Sequence, residues 1–253
     1  MKSMNRSLAV FLQFLKRDIY VYSKRARPLL FNYGFMYPLA YSIGYGYIQP
    51  NIYFAHADAA TQTITFVGNI LVPLILTIQV MALDLLFDFD ADRFVEYQIS
   101  VLDSRLVILE RILFSSLFSF FLMLPFYPVA KLILANHFYT AHTHWLYTFL
   151  ILYLGSFCIS AYQAFIVCFL KKSSEFDNIW PRFNQVLISL GGFWIPRAII
   201  SKFSPLLGYV VLLNPYLYIT EGLRQAILGG DQFMPLYVCI GMLSYAILYN
   251  IQY

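Results

Sequence analysis

Seven stretches of this 253-residue chain carry no Asp, Glu, Lys or Arg: 28–57, 59–83, 112–130, 145–170, 183–196, 203–220 and 232–253. A helix needs about 20 mostly apolar residues to cross the hydrocarbon of a bilayer, and five of the stretches are that long. Residues 183–196 fall short, but reach about Ile200 if Arg197 extends its charged end to the surface. Residues 203–220, FSPLLGYVVLLNPYLYIT, approach spanning length yet contain Pro205, Gly208, Asn214 and Pro215. Helix-breaking backbone at membrane depth survives only where protein shields it or where it lines a wet cavity. A re-entrant pair of short helices is expected there, which leaves six spans. Composition agrees: 60% of residues are hydrophobic and 12% charged, against about 45–50% and 25% in soluble domains. A water-soluble enzyme and a disordered chain are both excluded.

The basic residues orient the spans. Lys2, Arg6, Lys16, Arg17, Lys24, Arg25 and Arg27 precede the first. Arg93, Arg105 and Arg111 follow the second, and Lys171, Lys172 and Arg182 follow the fourth. Only Lys131, Arg197, Lys202 and Arg224 fall on the other side. Positive charge favours the cytoplasmic face, so both termini are expected there.

The N-terminus does not read as a cleaved leader: Lys16 and Arg17 follow its short apolar stretch, with no small-residue cleavage site. Leu8, Phe11, Leu12, Leu15, Ile19 and Tyr22 share one helical face, and Arg6, Gln13, Arg17 and Lys24 the opposite one. This predicts an amphipathic helix on the inner leaflet, its basic residues near anionic headgroups. No internal repeat, low-complexity tract or linker is evident. The chain therefore reads as one all-α integral membrane domain. Residues 1–27 form the interfacial helix and 28–253 the six-span bundle, with a re-entrant hairpin before the last span.

Familiar reactive motifs are missing. There is no phosphate-binding loop, G-x-S-x-G elbow, H-E-x-x-H or Cys/His metal spacing. Cys158, Cys168 and Cys239 read as small apolar residues, and His137, His142 and His144 as polar loop residues. The acidic run DLLFDFDAD (Asp84, Asp88, Asp90, Asp92) fits no calcium loop, since Arg93 and Ile99 occupy positions that require Gly and Glu. It supplies the alternative reading: an integral-membrane Mg-dependent prenyl- or phosphotransferase using the Asp84–Asp92 cluster. Such enzymes usually need a second Asp-rich cluster, and none is present. Asp84 lies closest to the hydrocarbon, where Arg93 or Arg111 would offset part of its cost.

Two segments resemble a known family. Leu213-Asn214-Pro215 followed by Thr220-Glu221-Gly222-Leu223-Arg224 resembles the N-P…E-x-L-R pattern near the C-terminus of type-2 ATP-binding cassette permeases, the membrane subunits of exporters. Asp92-Arg93-Phe94-Val95-Glu96-Tyr97-Gln98-Ile99, with Ser104-Arg105 after it, resembles their cytoplasmic loop between spans two and three. Leu102 or Asp103 stands where that family often has Pro. The resemblance implies a dimer, homo- or heteromeric, of permeases in a bacterial inner (plasma) membrane. Each copy would dock a separate nucleotide-binding ATPase subunit. ATP and Mg would sit on that partner, with no cofactor bound directly and no catalytic or metal site here. The chain would not itself be an enzyme.

It further implies a coupling helix at about Asp90–Ser100, with Arg93, Phe94, Glu96 and Tyr97 contacting the ATPase and Lys171–Asn178 as a weaker contact. Asn214, Pro215, Glu221 and Arg224 would form an outer gate. Glu221 and Arg224 stand i, i+3 and pair on a helix. Tyr33, Tyr37, Tyr41 and Tyr45 recur every four residues along span one. Each such step drifts by about 40° in an α-helix, so the row is expected to wrap slowly round it. These tyrosines are the candidate substrate pathway, suited to a lipid, glycan or amphipathic drug-like molecule. Gly34, Gly44 and Gly46 are expected to admit a neighbouring helix. No ring of basic residues favours a small anion, and no nucleic-acid partner is expected.

Overall fold

The computed structural model describes residues 2–53, 58–90, 94–139, 142–170 and 173–252. Every regular element among them is helical. Three helices are long and apolar enough to cross a membrane: Ala59–Asp90, Ser104–His137 and Trp145–Phe169. The first comprises α4 (Ala59–Asn69) and α5 (Leu71–Asp90). The second comprises α7 (Ser104–Met123) and α8 (Phe126–Leu134), and the third is α9. Residues Pro205–Leu213 and Pro215–Leu228 form a further apolar pair, bent by 102°.

Local sequence explains where these helices start. Asp58 caps α4 by accepting from the Thr61 N–H at 2.9 Å, and Asp103 caps α7 by accepting from the Arg105 N–H at 2.9 Å. Asn214 caps α13 (Pro215–Leu228) by accepting from the Tyr216 N–H at 3.0 Å. Pro215, at the first helical position, has no N–H to leave unpaired. Asn214 and Pro215 thus make the 102° corner that the sequence predicts as a break.

The N-terminal 29 residues do not form a separate element. Helical backbone runs unbroken from Lys2 to Tyr53: α1 (Lys2–Leu29), a π-helical turn at Leu30–Met36, α2 (Tyr37–Tyr41), a second π-helical turn at Ser42–Ile48, and α3 (Gln49–Tyr53). Pro28 lies inside α1 and Pro38 inside α2. Each removes an i→i−4 bond and crowds the preceding carbonyl, and a wide i→i+5 turn follows each of them. Leu8, Leu12 and Ile19 are exposed. Val10, Phe11 and Phe14 pack instead against the bundle, and Tyr22 is buried. The helix therefore has two apolar stripes, one open and one docked.

The expected fifth span over 183–200 is replaced by α10 (Ser173–Leu190), which starts earlier and ends earlier. Gly191 and Gly192 stop it, Gly192 at φ 70°, and Pro196 precedes α11 (Arg197–Phe203). The reason is local: Glu175 and Arg182 are good helix formers, so the helix runs through the charged residues at which the charge-free stretch begins. After α11 come α12 (Pro205–Val210) and, beyond α13, α14 (Leu236–Gln252).

Helix α9 is the axis of the packing, touching α5, α7, α13 and α14. The larger core joins α4, α5, α8, α9 and α13 through Phe66, Leu74, Phe126, Ile151 and Tyr216. A smaller core lies at the opposite end of α5 and α7, where α6 (Phe94–Val101) joins them through Leu86, Val95, Val107 and Val167. A polar set crosses the first core. Gln163 of α9 donates to Asn184 of α10 at 3.0 Å and accepts from Trp180 at 2.7 Å, and the Tyr216 hydroxyl donates to Asn184 at 3.1 Å. This fixes α9 and α10 against the start of α13.

Candidate functional site

Glu221 and Arg224 lie on the buried face of α13, at 1% and 0% exposure. Arg224 Nη1 reaches Glu221 Oε1 at 3.3 Å. Its Nε donates to the Ile64 carbonyl at 3.2 Å and its Nη2 to the Phe193 carbonyl at 3.3 Å. Glu221 also accepts from the Arg197 backbone N–H at 3.1 Å. One side-chain pair thus ties α13 to α4, to the 191–196 turn and to the start of α11. A buried pair survives desolvation when other hydrogen bonds answer its remaining groups, and both partners here have them. Asn214 adds a fastening at the corner, its Nδ2 donating to the Leu187 carbonyl at 2.6 Å. Thr220 Oγ1 donates toward the Gly191 carbonyl at 2.7 Å.

Two glycines make room for this clamp. A Cβ on Gly68 would stand 2.2 Å from Arg224 Nη2 and 2.3 Å from the Phe193 carbonyl oxygen. A Cβ on Gly192 would meet Leu217 and the Thr220 hydroxyl at 2.9 Å. Neither residue is marked by the sequence patterns that reveal Glu221 and Arg224. Their role comes from a partner about 150 residues away in Gly68, and from a turn conformation in Gly192.

The tyrosine row ends at the same turn. Tyr45 packs against Phe193 and Trp194 at ring-centroid distances of 6.3 and 5.5 Å. Tyr33 and Tyr37 stack at 5.2 Å with planes 1° apart, Tyr37 and Tyr41 lie at 5.9 Å, and Tyr41 and Tyr45 at 4.9 Å. The row does not wrap round the helix. Four residues overshoot an α turn of 3.6 and undershoot a wider π turn, so alternating the two cancels the drift. A four-residue repeat underlies this order. Gly34, Pro38, Ser42, Gly46 and Pro50 follow the tyrosine row by one position and are all buried. Phe31, Phe35, Ile43 and Tyr47 form the exposed row. A Cβ on Gly46 would meet Leu134 at 2.8 Å and one on Gly34 would meet Leu30 at 2.9 Å, whereas Gly44 has nothing within 4 Å. Gly44 is therefore not a close-approach position. Each tyrosine ring thus packs against the next along the row, and all four are half-buried.

At the other end of the bundle Arg93 lies outside the described residues. Phe94 is not an open knob. Arg17 of α1 covers its ring at 3.8 Å from the centroid, and Phe14 meets it edge-on at 6.4 Å. Tyr97 is 59% exposed, and Glu96 is exposed. Ile99 and Val101 are exposed too, so α6 offers a mixed aromatic, aliphatic and acidic face.

Beneath α6 the charges form a cluster centred on Arg111. Its guanidinium donates to Asp18 at 3.0 Å, to Asp88 and to Gln98 at 3.1 Å. Asp18 also pairs with Arg17 at 3.0 Å. Burial pushes the Asp18 carboxyl above its ordinary value, and Arg111 and Arg17 pull it back down. Asp84 does not use Arg111. It accepts from the Tyr22 hydroxyl and lies 3.8 Å from Arg25. Acidic residues of the Asp84–Asp92 run are thus tied to α1 and α7. Among the described residues no group of three or more His, Cys, Asp or Glu is placed to hold a metal ion. Cys158, Cys168 and Cys239 are free thiols.

No family model, no curated protein and no solved structure matches the chain.

Proposed function

We infer that this chain is a membrane-spanning permease subunit of an ATP-binding cassette exporter, powered by a separate ATPase subunit. The observation that carries the reading is the corner at Asn214-Pro215 followed by the buried Glu221–Arg224 clamp. The residues of the N-P…E-x-L-R resemblance occupy one fastening, at a bend that suits a re-entrant segment. The other resembling segment contains a short helix, α6, whose outer face is open for a partner and whose inner face is keyed to α1, α5 and α7.

In this reading six spans carry the chain across the bilayer. They are the second half of the Lys2–Tyr53 helix, the three long apolar helices, α10 and α14. Both termini are cytoplasmic, and Leu8, Leu12 and Ile19 rest on the inner leaflet. A second permease copy completes the pathway, and ATP and Mg are bound by the ATPase. Arg93, Glu96 and Tyr97 contact that ATPase, while Phe94 passes its displacement to α1 through Arg17 and Phe14. Glu221, Arg224, Asn214 and Pro215 hold the outer gate shut. Tyr33, Tyr37, Tyr41 and Tyr45 line the route of a lipid, glycan or amphipathic drug-like substrate.

The test is to purify the chain with and without the nucleotide-binding protein that associates with it. Hydrolysis and transport are expected only with that partner, and Glu96→Ala combined with Arg93→Ala should abolish transport while insertion stays normal. Transport by the chain alone without nucleotide, or turnover of a diphosphate by the chain alone with Mg, would overturn the reading.

A further inference from the structure

Arg111 stands on α7, yet its guanidinium bonds three other helices: Asp18 of α1, Asp88 of α5 and Gln98 of α6. The planar fork of an arginine holds several acceptors in fixed directions, which a lysine cannot do. Arg111 is 10% exposed, and Asp18 is 2% exposed. Arg111 also lies within 5.9 Å of the Phe94 ring centroid, on which Arg17 rests. Among the described residues, the hydrogen bond from Arg111 to Gln98 is what joins α6 to this cluster.

A second feature concerns what the cluster leaves unused. Glu110 is fully buried, and neither of its carboxylate oxygens accepts a hydrogen bond among the described residues. Arg111 Nε is buried and donates none. The two form an ion pair at 3.7 Å, longer than a hydrogen bond. Buried donors and acceptors are rarely left unmade in this way. Arg111 also borders a cavity of about 20 Å³, room for about one water, with Ser115, Ser160 and Gln163 on its wall. Arg111 thus bonds three helices through Nη1 and Nη2, while its Nε–H and Glu110 stand close without a hydrogen bond.

We propose that Arg111 is the positioning residue that ties the displacement of α6 to α1, α5 and α7, and that Glu110 is the acceptor it takes when those bonds part. With the bonds to Asp18, Asp88 and Gln98 made, α6 is held in register with three helices. When a pull on α6 breaks the Gln98 contact, Arg111 swings toward Glu110, which keeps the guanidinium paired inside the protein. The exchange makes the cluster a two-position element rather than a spring. Its transport consequences rest on the exporter reading; its geometry does not.

The experiment places spin labels at Lys16 of α1 and Ile99 of α6, in a Cys168→Ser background, and measures their separation by pulsed electron resonance. The native chain should give one narrow distance. Arg111→Lys should broaden it, and Gln98→Met, which leaves both ion pairs in place, should broaden it through α6 alone. An unchanged narrow distance in both variants overturns the hub. With the ATPase and a non-hydrolysable nucleotide, the native chain should show a second distance. Glu110→Gln should lower that population about tenfold, within the usual span of coupling between sites, while the resting distance stays native. Persistence of the second population in Glu110→Gln overturns the acceptor role. If the variants broaden the resting distance as expected but no ATPase associates with the chain, the exporter reading falls and the hub stands.

Discussion

A guanidinium without solvent exposure is stable only when its donors are answered, and Arg224 meets that demand with one carboxylate and two main-chain carbonyls. Truncating one member of a buried pair leaves the other charge uncompensated, at about 3–5 kcal/mol. Arg224→Met is therefore expected to lower thermal stability in detergent by that order. Glu221→Gln combined with Arg224→Met should recover part of the loss, because no lone charge remains. Gly68→Ala should resemble Arg224→Met, since its Cβ would stand where Arg224 Nη2 and the Phe193 carbonyl now sit. Its cost belongs at the upper end of the about 1–3 kcal/mol range for overpacking. The two changes should not add, because they disrupt one contact. A pH test is available at Asp58. Hydrogen bonds from the Thr61 side chain and then its N–H hold the Asp58 carboxyl below its ordinary 3.8. A depressed carboxyl stabilises the fold above its unfolded value and loses that contribution as pH falls through the folded one. Asp58→Ala should cost about 1 kcal/mol at neutral pH, and the difference from the native chain should vanish in acid, as thermal unfolding at both pH values would show. Sequence alone reveals Glu221 and Arg224 through their i, i+3 spacing. It does not reveal Ile64, Phe193 or Gly68, because a main-chain carbonyl and an absent Cβ leave no signature in residue type.

At the scale of elements, the Lys2–Tyr53 helix shows how a pattern can be visible while its geometry is hidden. Four tyrosines at four-residue intervals are plain in the sequence. Ideal α geometry turns them into a drifting row, whereas the π turns following Pro28 and Pro38 straighten them into a column. The companion row of Gly34, Pro38, Ser42, Gly46 and Pro50 was equally legible, but it mixes residue types that share only small size. Tyr41 is packed by Tyr37, Tyr45 and Phe126. Tyr41→Phe should therefore keep native stability, while Tyr41→Ala should lose about 1–3 kcal/mol of packing, measurable by thermal unfolding. Helix α10 illustrates the opposite failure. Charge-free stretches locate helix ends poorly, so its start at Ser173 was missed. The docked stripe of α1 was missed for a related reason: Val10 and Phe14 look like breaks in one amphipathic face until α6 supplies them with a second.

At the scale of the molecule, the all-helical class and its apolar character follow directly from composition and the absence of long polar tracts. Three helices meet the length and apolarity needed to cross a bilayer. The first expected span contains many tyrosines and glycines, the fifth mixes charges into its first turns, and the last is short. Their membrane role rests on the proposed topology, which is open to a direct test. Single cysteines placed near each terminus, in a background lacking Cys158, Cys168 and Cys239, should both react only from the cytoplasmic side of sealed vesicles. Reaction of the two ends from opposite sides would contradict six crossings and turn the 102° corner into a broken seventh span.

The unbroken helix from Lys2 to Tyr53 has a mechanical corollary. Its two π-helical turns follow Pro28 and Pro38, where helices bend most readily, so a twist applied at Phe14 or Asp18 would be shared between those turns and the contact of Tyr45 with Phe193 and Trp194. Those rings sit on the turn whose carbonyl Arg224 grips. Any torque carried to that end would meet the turn that Arg224 holds, and the two wide turns would set how much of it is lost on the way.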